Sequence, residues 1–439
     1  MKRVAVVGSG IAGLTAAWYL SDPENPVHVT LYEAEDYAGG HTHTVDVTLP
    51  DAAGHNVTHG VDTGFLVFNH RTYPGLVRHF HELGVETAES DMSFSVQVLD
   101  QNLEWCGSSL ATVFAQPANA LRPAFWGMLS DVLRFNRQAT SLATEGTPQA
   151  LQTSIGQFLL ANNYSAAFRD WYLIPMISSI WSCQADQMLK FPMSTLVRFC
   201  HNHGLLQVTN RPQWYTVRGG ARNYVQKMLS RIAEVKLSTP VFAVRRRVHG
   251  AGVEVVTAEG TTHFDAVVMA CHADQALAML GADAHPQERE LLSTIGYQPN
   301  TAVLHTDTSV LPQRRRAWAA WNYEHSASQQ DGSGVCLHYL LNRLQPLPFA
   351  QPVVVSLNPL RAPRPETVLG TYQYSHPVFD LSAVRSQSRL ESVQGMYQTW
   401  FCGAWTGYGF HEDGFQSGRK VAEAVRCRLE ATDFSGLAA

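Results

Sequence analysis

The sequence is short of charged residues, and of lysine in particular, and this shortage excludes some classes of protein. Charged residues make up 16% of the 439 residues, and the lysines are Lys2, Lys190, Lys227, Lys236 and Lys420. The net charge is -5, whereas proteins that bind nucleic acid over a broad surface usually have a basic excess, so we expect no nucleic-acid partner. Hydrophobic residues account for 45%, which is typical of a globular chain, and the length favours two domains.

The cysteines lack the spacing of a disulfide framework or a zinc site. They number seven, and no two have the Cys-x-x-Cys spacing. His201 and His203 resemble a metal-binding pair, but no third ligand is evident, so we expect no metal and interpret them as structural or substrate-facing. The first residues do not form a signal peptide, and no apolar run is long enough to span a bilayer. The sequence therefore predicts a cytoplasmic protein in a reducing compartment.

A glycine-rich turn near the start of the chain lies between a buried strand at residues 3–7 and a helix. In this pattern Gly8 permits the tight turn, Gly10 lets the backbone approach a diphosphate, and Gly13 lets the helix pack closely on the strand. The helix N-terminus adds free N–H groups and the positive end of its dipole. Glu33 ends the next strand, where its carboxylate suits the hydroxyl groups of an adenosine ribose. A purely structural turn is the alternative reading.

Several later segments carry glycines or small residues where a backbone could approach the same ligand. They are Gly39, Gly40 and His41; residues 61–66; Arg218, Gly219 and Gly220; Pro240 and Val241; and residues 401–406 with 414–418. Each segment alone is typical of an ordinary loop or a buried strand. The prediction that they approach one ligand therefore rests on their order and spacing along one chain.

In this order and spacing the chain resembles the flavin amine-oxidase superfamily, which includes phytoene-desaturase-like and protoporphyrinogen-oxidase-like enzymes. The resemblance implies an FAD-dependent oxidoreductase that holds its FAD without a covalent bond. His41 stands where this family usually has arginine, which removes a permanent charge, and Ala404 stands where a glutamate is frequent. The residues that the resemblance places against FAD are Gly8, Ser9, Gly10, Ile11, Ala12, Gly13, Glu33, Ala34, Gly39, Gly40, His41, Thr42, Gly64, Phe65, Leu66, Gly219, Gly220, Val241, Gly403, Ala404, His411, Gly414 and Phe415.

Residues 39–44 and 409–414 are most similar to a bacterial branch associated with cyclopropane-synthase-like methyltransferases and the desaturation of methylated fatty acyl chains on the way to furan fatty acids. This resemblance implies a hydrophobic or lipid substrate and a methyltransferase as a functional partner. Aromatic residues crowd the middle of the chain, and a subset of them could line an apolar tunnel while the others form the core. They are Trp126, Trp171, Trp181, Phe191, Phe199, Trp214 and Tyr215.

The catalytic residues are harder to predict, because features of the family's amine oxidases are altered. Such enzymes usually carry a lysine on a strand of the substrate domain, and the comparable residues 300–305 contain none. Phe410 stands where tyrosine is common, so amine oxidation becomes the alternative to dehydrogenation of a hydrophobic substrate. A non-catalytic FAD-holding accessory subunit is a third hypothesis. His411 could exchange protons or only pack against the flavin, and Tyr408 and Phe410 could wall the pocket.

These signals predict a mixed α/β fold with a discontinuous Rossmann-like FAD-binding domain and a helical and β substrate domain. We assign residues 1–70, 206–285 and 385–439 to the FAD-binding domain, and residues 71–205 and 286–384 to the substrate domain. A closing helix is predicted over residues 413–430, with Asp413 as its cap or, with Glu412, as an acid.

A helical stripe at residues 122–138 suggests a peripheral contact with the inner face of the membrane. Its apolar residues are Phe125, Trp126, Leu129, Val132 and Leu133, and Arg122, Arg134 and Arg137 flank them. Such a helix can lie in the interface of an anionic bilayer, or it can face the protein core. The pattern leaves both interpretations open.

Overall fold

The computed structural model describes residues 1–24, 27–147, 151–207, 211–247, 252–326 and 335–437. A five-stranded sheet and a seven-stranded sheet organise these residues, and smaller sheets connect them. The mixed α/β fold predicted from the sequence is confirmed. No helix among the described residues is long and apolar enough to cross a membrane.

The five-stranded sheet is parallel throughout. Its order from edge to edge is Glu234–Lys236, Val27–Tyr32, Lys2–Val7, Ala266–Met269 and Thr399–Phe401. The central strands are continuous apolar runs, as expected where helices cover both faces of a sheet. All five strands lie in the segments assigned above to the FAD-binding domain. The domain boundaries themselves stay a prediction.

Three helices from distant parts of the chain pack with this sheet: Ile11–Leu20, Arg222–Leu229 and His411–Leu437. The first and last pack very closely, since a Cβ atom on Gly418 would lie 2.2 Å from the backbone oxygen of Ala12. Small residues at the crossing permit this approach. The closing helix thereby holds the segment that precedes it against the glycine-rich turn.

The seven-stranded sheet forms the wall of the other half. Its order is Val368–Val378, Gly296–His305, Val354–Leu357, Cys336–Leu340, Trp321–His325, Phe94–Val98 and Leu103–Cys106. Neighbouring strands are antiparallel except Trp321–His325 and Phe94–Val98, which are parallel. A helical layer adjoins the sheet, made of Pro123–Glu145, Ile155–Ala161, Ala166–Phe168, Ile174–Trp181, Ala185–Lys190 and Met193–Asn202.

The remaining elements are short and join the two halves. The strands are Thr44–Pro50 with Asn56–Asp62; Phe68–Asn69, Thr87–Ser90 and Trp214–Val217; and Ala243–Arg246, Val253–Thr257 and Gly260–Phe264. The helices are Pro74–Glu82, Leu110–Val113, Ala273–Leu280, Pro286–Leu292, Leu341–Leu344 and Leu381–Gln387.

Two details of the sequence-based predictions are wrong. The closing helix begins at His411, and Asp413 lies inside its first turn, where the carboxylate accepts the Phe410 N–H at 3.0 Å. The stripe on Pro123–Glu145 is not one face, because successive helical residues point about 100° apart. Phe125 is fully buried, whereas Trp126 is 53% exposed and Leu133 is 55% exposed.

Candidate active site

One cavity of about 950 Å³ runs between the two main sheets. At one end it reaches the carboxyl ends of the strands Lys2–Val7 and Val27–Tyr32, and at the other it reaches Trp321 and Tyr339 on the seven-stranded sheet. Ligands of open α/β sheets bind at the carboxyl ends of strands, so the position suits a nucleotide. The volume lies in the usual range for a small-molecule or cofactor site.

The three glycines of the turn have distinct roles in the structure. A Cβ atom on Gly13 would lie 1.9 Å from the backbone oxygen of Gly8, so this glycine is needed for packing. Gly8 has a φ of +102° and lies against the backbone of Ala270. A Cβ atom on Gly10 would meet no described atom within 4 Å, and it would project into the cavity. Gly10 is also the N-cap of Ile11–Leu20 and brings no capping side chain.

This geometry fits a diphosphate. The first N–H groups of a helix need acceptors, and here the helix begins at the cavity wall without a side chain to supply them. The loop at Gly40 packs on the turn, since a Cβ atom on Gly40 would lie 3.1 Å from the Cα of Gly10. The Phe65 N–H donates to the His41 carbonyl at 2.7 Å, which fastens a third loop to the same wall.

Glu33 lines the cavity at its nucleotide end, together with Ala34 and Val241. Its carboxylate accepts the Ser9 N–H at 2.9 Å and the Ser9 hydroxyl at 2.5 Å. The Ser9 hydroxyl oxygen in turn accepts the Gly39 N–H at 3.1 Å. Glu33 therefore fixes the glycine-rich turn as well as standing where a ribose would need an acceptor.

His411 lines the cavity, and neighbouring side chains hold its ring in place. Its ring stacks on Phe65, with centroids 3.7 Å apart and planes 9° from parallel. Its Nε2 lies 2.6 Å from the Tyr224 hydroxyl and 3.2 Å from the Thr42 hydroxyl. Burial lowers the pKa of His411 to about 3, so the ring is neutral at physiological pH. This geometry suits a positioning role, while the proton-transfer role stays a prediction.

Phe410 walls the cavity, and Tyr408 lies behind it. The Phe410 ring stacks on Phe199, with centroids 4.6 Å apart, and the Tyr408 carbonyl accepts the Trp181 indole N–H at 3.2 Å. Phe199 and Trp214 line the cavity, so these two members of the aromatic group predicted from the sequence face it. Trp181 and Phe191 belong to the core.

The two carboxylates that follow His411 cap backbone groups. Glu412 accepts the N–H groups of Gly75 and Leu76, both at 2.9 Å, at the start of the helix Pro74–Glu82. Asp413 accepts from Phe410, as described above. Glu412 thus caps a different helix from the closing helix named in the prediction, and neither carboxylate lines the cavity.

His203, which the sequence predicts to be structural or substrate-facing, is a site residue. It lines the cavity 5.7 Å, centroid to centroid, from the Phe410 ring, and its Nδ1 lies 3.0 Å from the Phe199 carbonyl, to which it donates. The Nε2 atom therefore bears the lone pair in the neutral ring. Burial lowers the pKa of His203 to about 4, which keeps the ring neutral at physiological pH.

Some residues predicted to contact FAD support the cavity from behind and do not line it: Gly13, Thr42, Gly219, Gly220, Gly414 and Phe415. Gly220 packs on Thr44, and Gly414 packs on Ile11. All the other predicted FAD contacts line the cavity. Several lining residues had no signal in the sequence: Met92, Phe94, Met176, Ile180, Trp321 and Tyr339.

A buried polar cluster outside the cavity resembles a metal site. The donor atoms of Glu324, Cys336 and His338 lie within 4.8 Å of one another. The Nε2 of His338 is 3.1 Å from Glu324, and its Nδ1 is 2.7 Å from the Ser356 hydroxyl. Burial lowers the pKa of His338, but Cys336 and Glu324 together raise it to about 9. A protonated His338 pairs with one carboxylate oxygen of Glu324, and Arg361 lies 3.4 Å from the other, so we interpret the cluster as a buried ion pair.

The parallel sheet, the glycine-rich turn and the cavity together are typical of a dinucleotide-binding protein. The model of the flavin containing amine oxidoreductase family matches residues 11–339, and the chain belongs to this family. It is an FAD-dependent oxidoreductase.

Solved structures agree with this assignment at the level of the fold. Cyclohexylamine oxidase from Brevibacterium oxydans IH-35A has a TM-score of 0.69 at 15% identity, covering 98% of this chain and 99% of that one. A fatty acid isomerase from P. acnes that produces CLA has a TM-score of 0.67 at 15% identity, covering 96% of this chain and 98% of that one. No curated protein matches the sequence.

Proposed function

We propose that this enzyme dehydrogenates a hydrophobic substrate, and that the substrate is a methylated fatty acyl chain of a lipid. One observation carries the proposal: among the described residues, no lysine, arginine or aspartate lines the cavity. In the part of the chain that the structure describes, the carboxylates that line the cavity are those of Glu33 and Glu35, at the nucleotide end. Apolar and aromatic side chains predominate at the opposite end, including Met92, Met176, Ile180 and Leu205, and the polar side chains among them, such as His203, are uncharged.

A cationic amine fits this lining poorly. Burying an ammonium group costs several kcal/mol unless a carboxylate or a set of acceptors pairs with it. An uncharged acyl chain incurs no such penalty and gains about 0.8 kcal/mol for each buried CH₂ group. The fatty acid isomerase among the structural neighbours has the same fold, which supports an acyl substrate without identifying it.

The chain's own residues would exclude water, orient the substrate and take up a proton. FAD supplies the two-electron oxidation when it is bound. Forming a C=C bond removes one hydrogen with its electron pair and the neighbouring hydrogen as a proton. His203 is placed to receive that proton on Nε2, because its Nδ1–H is held by the Phe199 carbonyl. Phe410 and Phe199 stack beside it and keep this part of the cavity apolar.

The FAD is proposed to be bound without a covalent link. Cys271 lines the cavity, but burial raises the pKa of its thiol to about 12, and a protonated thiol is a poor nucleophile. Of the other side chains expected near the cofactor, Cys402 is fully buried and burial raises the pKa of its thiol, while His41 is half-buried in the cavity wall.

The lipid substrate leads to a proposed membrane contact. Two exposed apolar side chains lie on the helix Pro123–Glu145: Trp126, 53% exposed, and Leu133, 55% exposed. Two more precede it in the chain: Leu110, 80% exposed, and Leu121, 86% exposed. Arg137 is exposed on the same helix. Exposed apolar side chains beside basic residues are typical of a surface that lies on an anionic bilayer. A methyltransferase that methylates the acyl chain would then be the functional partner, working on the same membrane face.

Anaerobic mixing of the oxidised enzyme with candidate substrates tests the function. A phospholipid with a methylated acyl chain is expected to bleach the flavin absorbance, and a mass shift of two hydrogens in the lipid should accompany it. Cyclohexylamine is the comparison compound. Bleaching by the amine alone would replace the proposal with amine oxidation, and no bleaching by either class would favour the accessory-subunit hypothesis.

A further inference from the structure

Three histidines form one side of the cavity beside the glycine-rich turn. The His41 ring lies 5.2 Å from the His376 ring and 6.3 Å from the His272 ring, centroid to centroid, and all three line the cavity. His41 follows Gly40, which packs directly on Gly10. His41 therefore lies next to the turn that offers its backbone N–H groups, and the other two histidines lie next to His41.

The hydrogen bonds of His41 are incomplete. Its Nε2 is buried and has no hydrogen-bond partner among the described residues, while the other ring nitrogen interacts with the backbone of Ser375. If neutral His41 donates its Nδ1–H to Ser375, its Nε2 carries a lone pair, and no donor among the described residues bonds to it. A protonated His41 would instead offer an N–H there, which needs an acceptor. A diphosphate provides only acceptors.

His376 already offers a donor in its neutral form. Its Nδ1 lies 2.9 Å from the side-chain nitrogen of Asn300, and the side-chain oxygen of Asn300 accepts from Asn358 at 2.7 Å. The Asn300 nitrogen is therefore the donor, so His376 accepts on Nδ1 and carries its hydrogen on Nε2. His41 and His376 together can bind an anion if one proton is added to the pair.

We propose that His41 takes up a proton when FAD binds and, with His376 and His272, offsets part of the negative charge of the diphosphate. The proposal concerns cofactor binding and does not depend on the substrate. Burial and the neighbouring histidines hold the pKa of His41 well below its usual range, so the ring is neutral in the apoprotein. A bound diphosphate brings negative charge next to the ring and must raise that pKa.

The titratable side chains around His41 do not raise its pKa in the way that a bound diphosphate would. His376 and Tyr374 face it from the strand Val368–Val378, and His272 faces it from the start of Ala273–Leu280. His411 acts on it from the closing helix, and all three histidines lower its pKa. Among the nearby carboxylates, Asp274 raises the pKa of His272 and Asp36 raises that of His43, and neither contributes to His41.

The linkage has a definite sign. A group whose pKa rises on binding takes up a proton, so affinity for FAD must increase as the pH falls between the bound and the free pKa. For one proton the dissociation constant changes by up to about tenfold per pH unit in that range.

Titration of the apoprotein with FAD from about pH 6 to about pH 9, followed by flavin fluorescence, tests this inference. Calorimetry in two buffers of different ionisation enthalpy counts the protons. The wild-type protein should take up as much as one proton and bind more weakly at high pH. His41→Arg should bind with little pH dependence and no uptake, and His41→Gln should bind weakly with a flat profile. His263→Gln, at an exposed position, is the matched control and should behave like the wild type.

Three outcomes would overturn the inference: a wild-type affinity that is flat with pH, an absence of proton uptake, or an unchanged slope in His41→Arg and His41→Gln. Thermal melts of the apoproteins identify a variant that does not fold, and His41→Arg then carries the test alone. Because no substrate is used, failure here leaves the proposed dehydrogenation to be judged separately by flavin bleaching.

Discussion

Replacing Gly10 with valine should remove FAD binding and leave the fold intact. The backbone φ of Gly10 is -60°, which any residue adopts, and a Cβ atom there meets no described atom within 4 Å. The substitution therefore adds atoms only to the space of the cavity. A diphosphate kept away from the helix N-terminus loses about two charge-assisted hydrogen bonds, worth about 1.5–3 kcal/mol each. The loss of about 3–6 kcal/mol corresponds to a dissociation constant about 10²–10⁴-fold weaker.

The assay compares FAD titrations and thermal melts of three apoproteins. Gly10→Val should melt within a few degrees of the wild type, because no contact within the protein is disturbed. Gly13→Ala should unfold or be insoluble, since its Cβ would lie 1.9 Å from the Gly8 oxygen. Gly127→Ala, where a Cβ also meets no described atom within 4 Å, controls for the change of residue type. A Gly10→Val protein that purifies yellow and binds FAD like the wild type would refute the cofactor assignment.

The remaining predictions concern the substrate end, the cofactor link and the membrane. His203→Gln should slow flavin reduction by about 10²–10⁴-fold with FAD still bound, whereas the control His201→Gln should reduce the flavin at the wild-type rate. Equal rates for His203→Gln and the wild type in stopped-flow traces would exclude His203 as the proton acceptor. Acid precipitation should release the flavin into the supernatant, and yellow colour in the pellet would contradict a non-covalent link. The protein should float with anionic vesicles at low salt, and Leu121→Ser with Trp126→Ser should prevent it; flotation of that variant would place the contact elsewhere.

The FAD-binding half could be predicted from the sequence because its constraints are local. Gly8, Gly10 and Gly13 lie within one turn, and backbone geometry alone assigns each its role. The carboxylate of Glu33 follows at the end of the next strand, at the spacing that this turn requires. Because contacts of this kind depend on a few residues that are close together in the chain, the sequence pattern alone is enough to predict them.

The substrate end could not be predicted in the same way, because it depends on contacts between distant residues. His203 and Phe410 are about two hundred positions apart and meet only through the packing of separate helices. Phe125 and Trp126 are neighbours in the sequence, yet one is buried and the other exposed. Composition could not distinguish them, since both are large aromatic residues on the same helix. His41 is a further example, because one ring nitrogen bonds the backbone of Ser375 on a remote strand. The other, Nε2, then has no hydrogen-bond partner among the described residues.

The parallel sheet has the strand Thr399–Phe401 at one edge, and the cavity wall continues from it to His411. Almost four hundred residues separate this strand from the glycine-rich turn. At about 5–20 residues per second, a ribosome therefore adds the strand about 20–80 seconds after the turn. During that interval the cavity wall is incomplete, so FAD can stabilise the closed state by mass action only once residues 399–411 are in place.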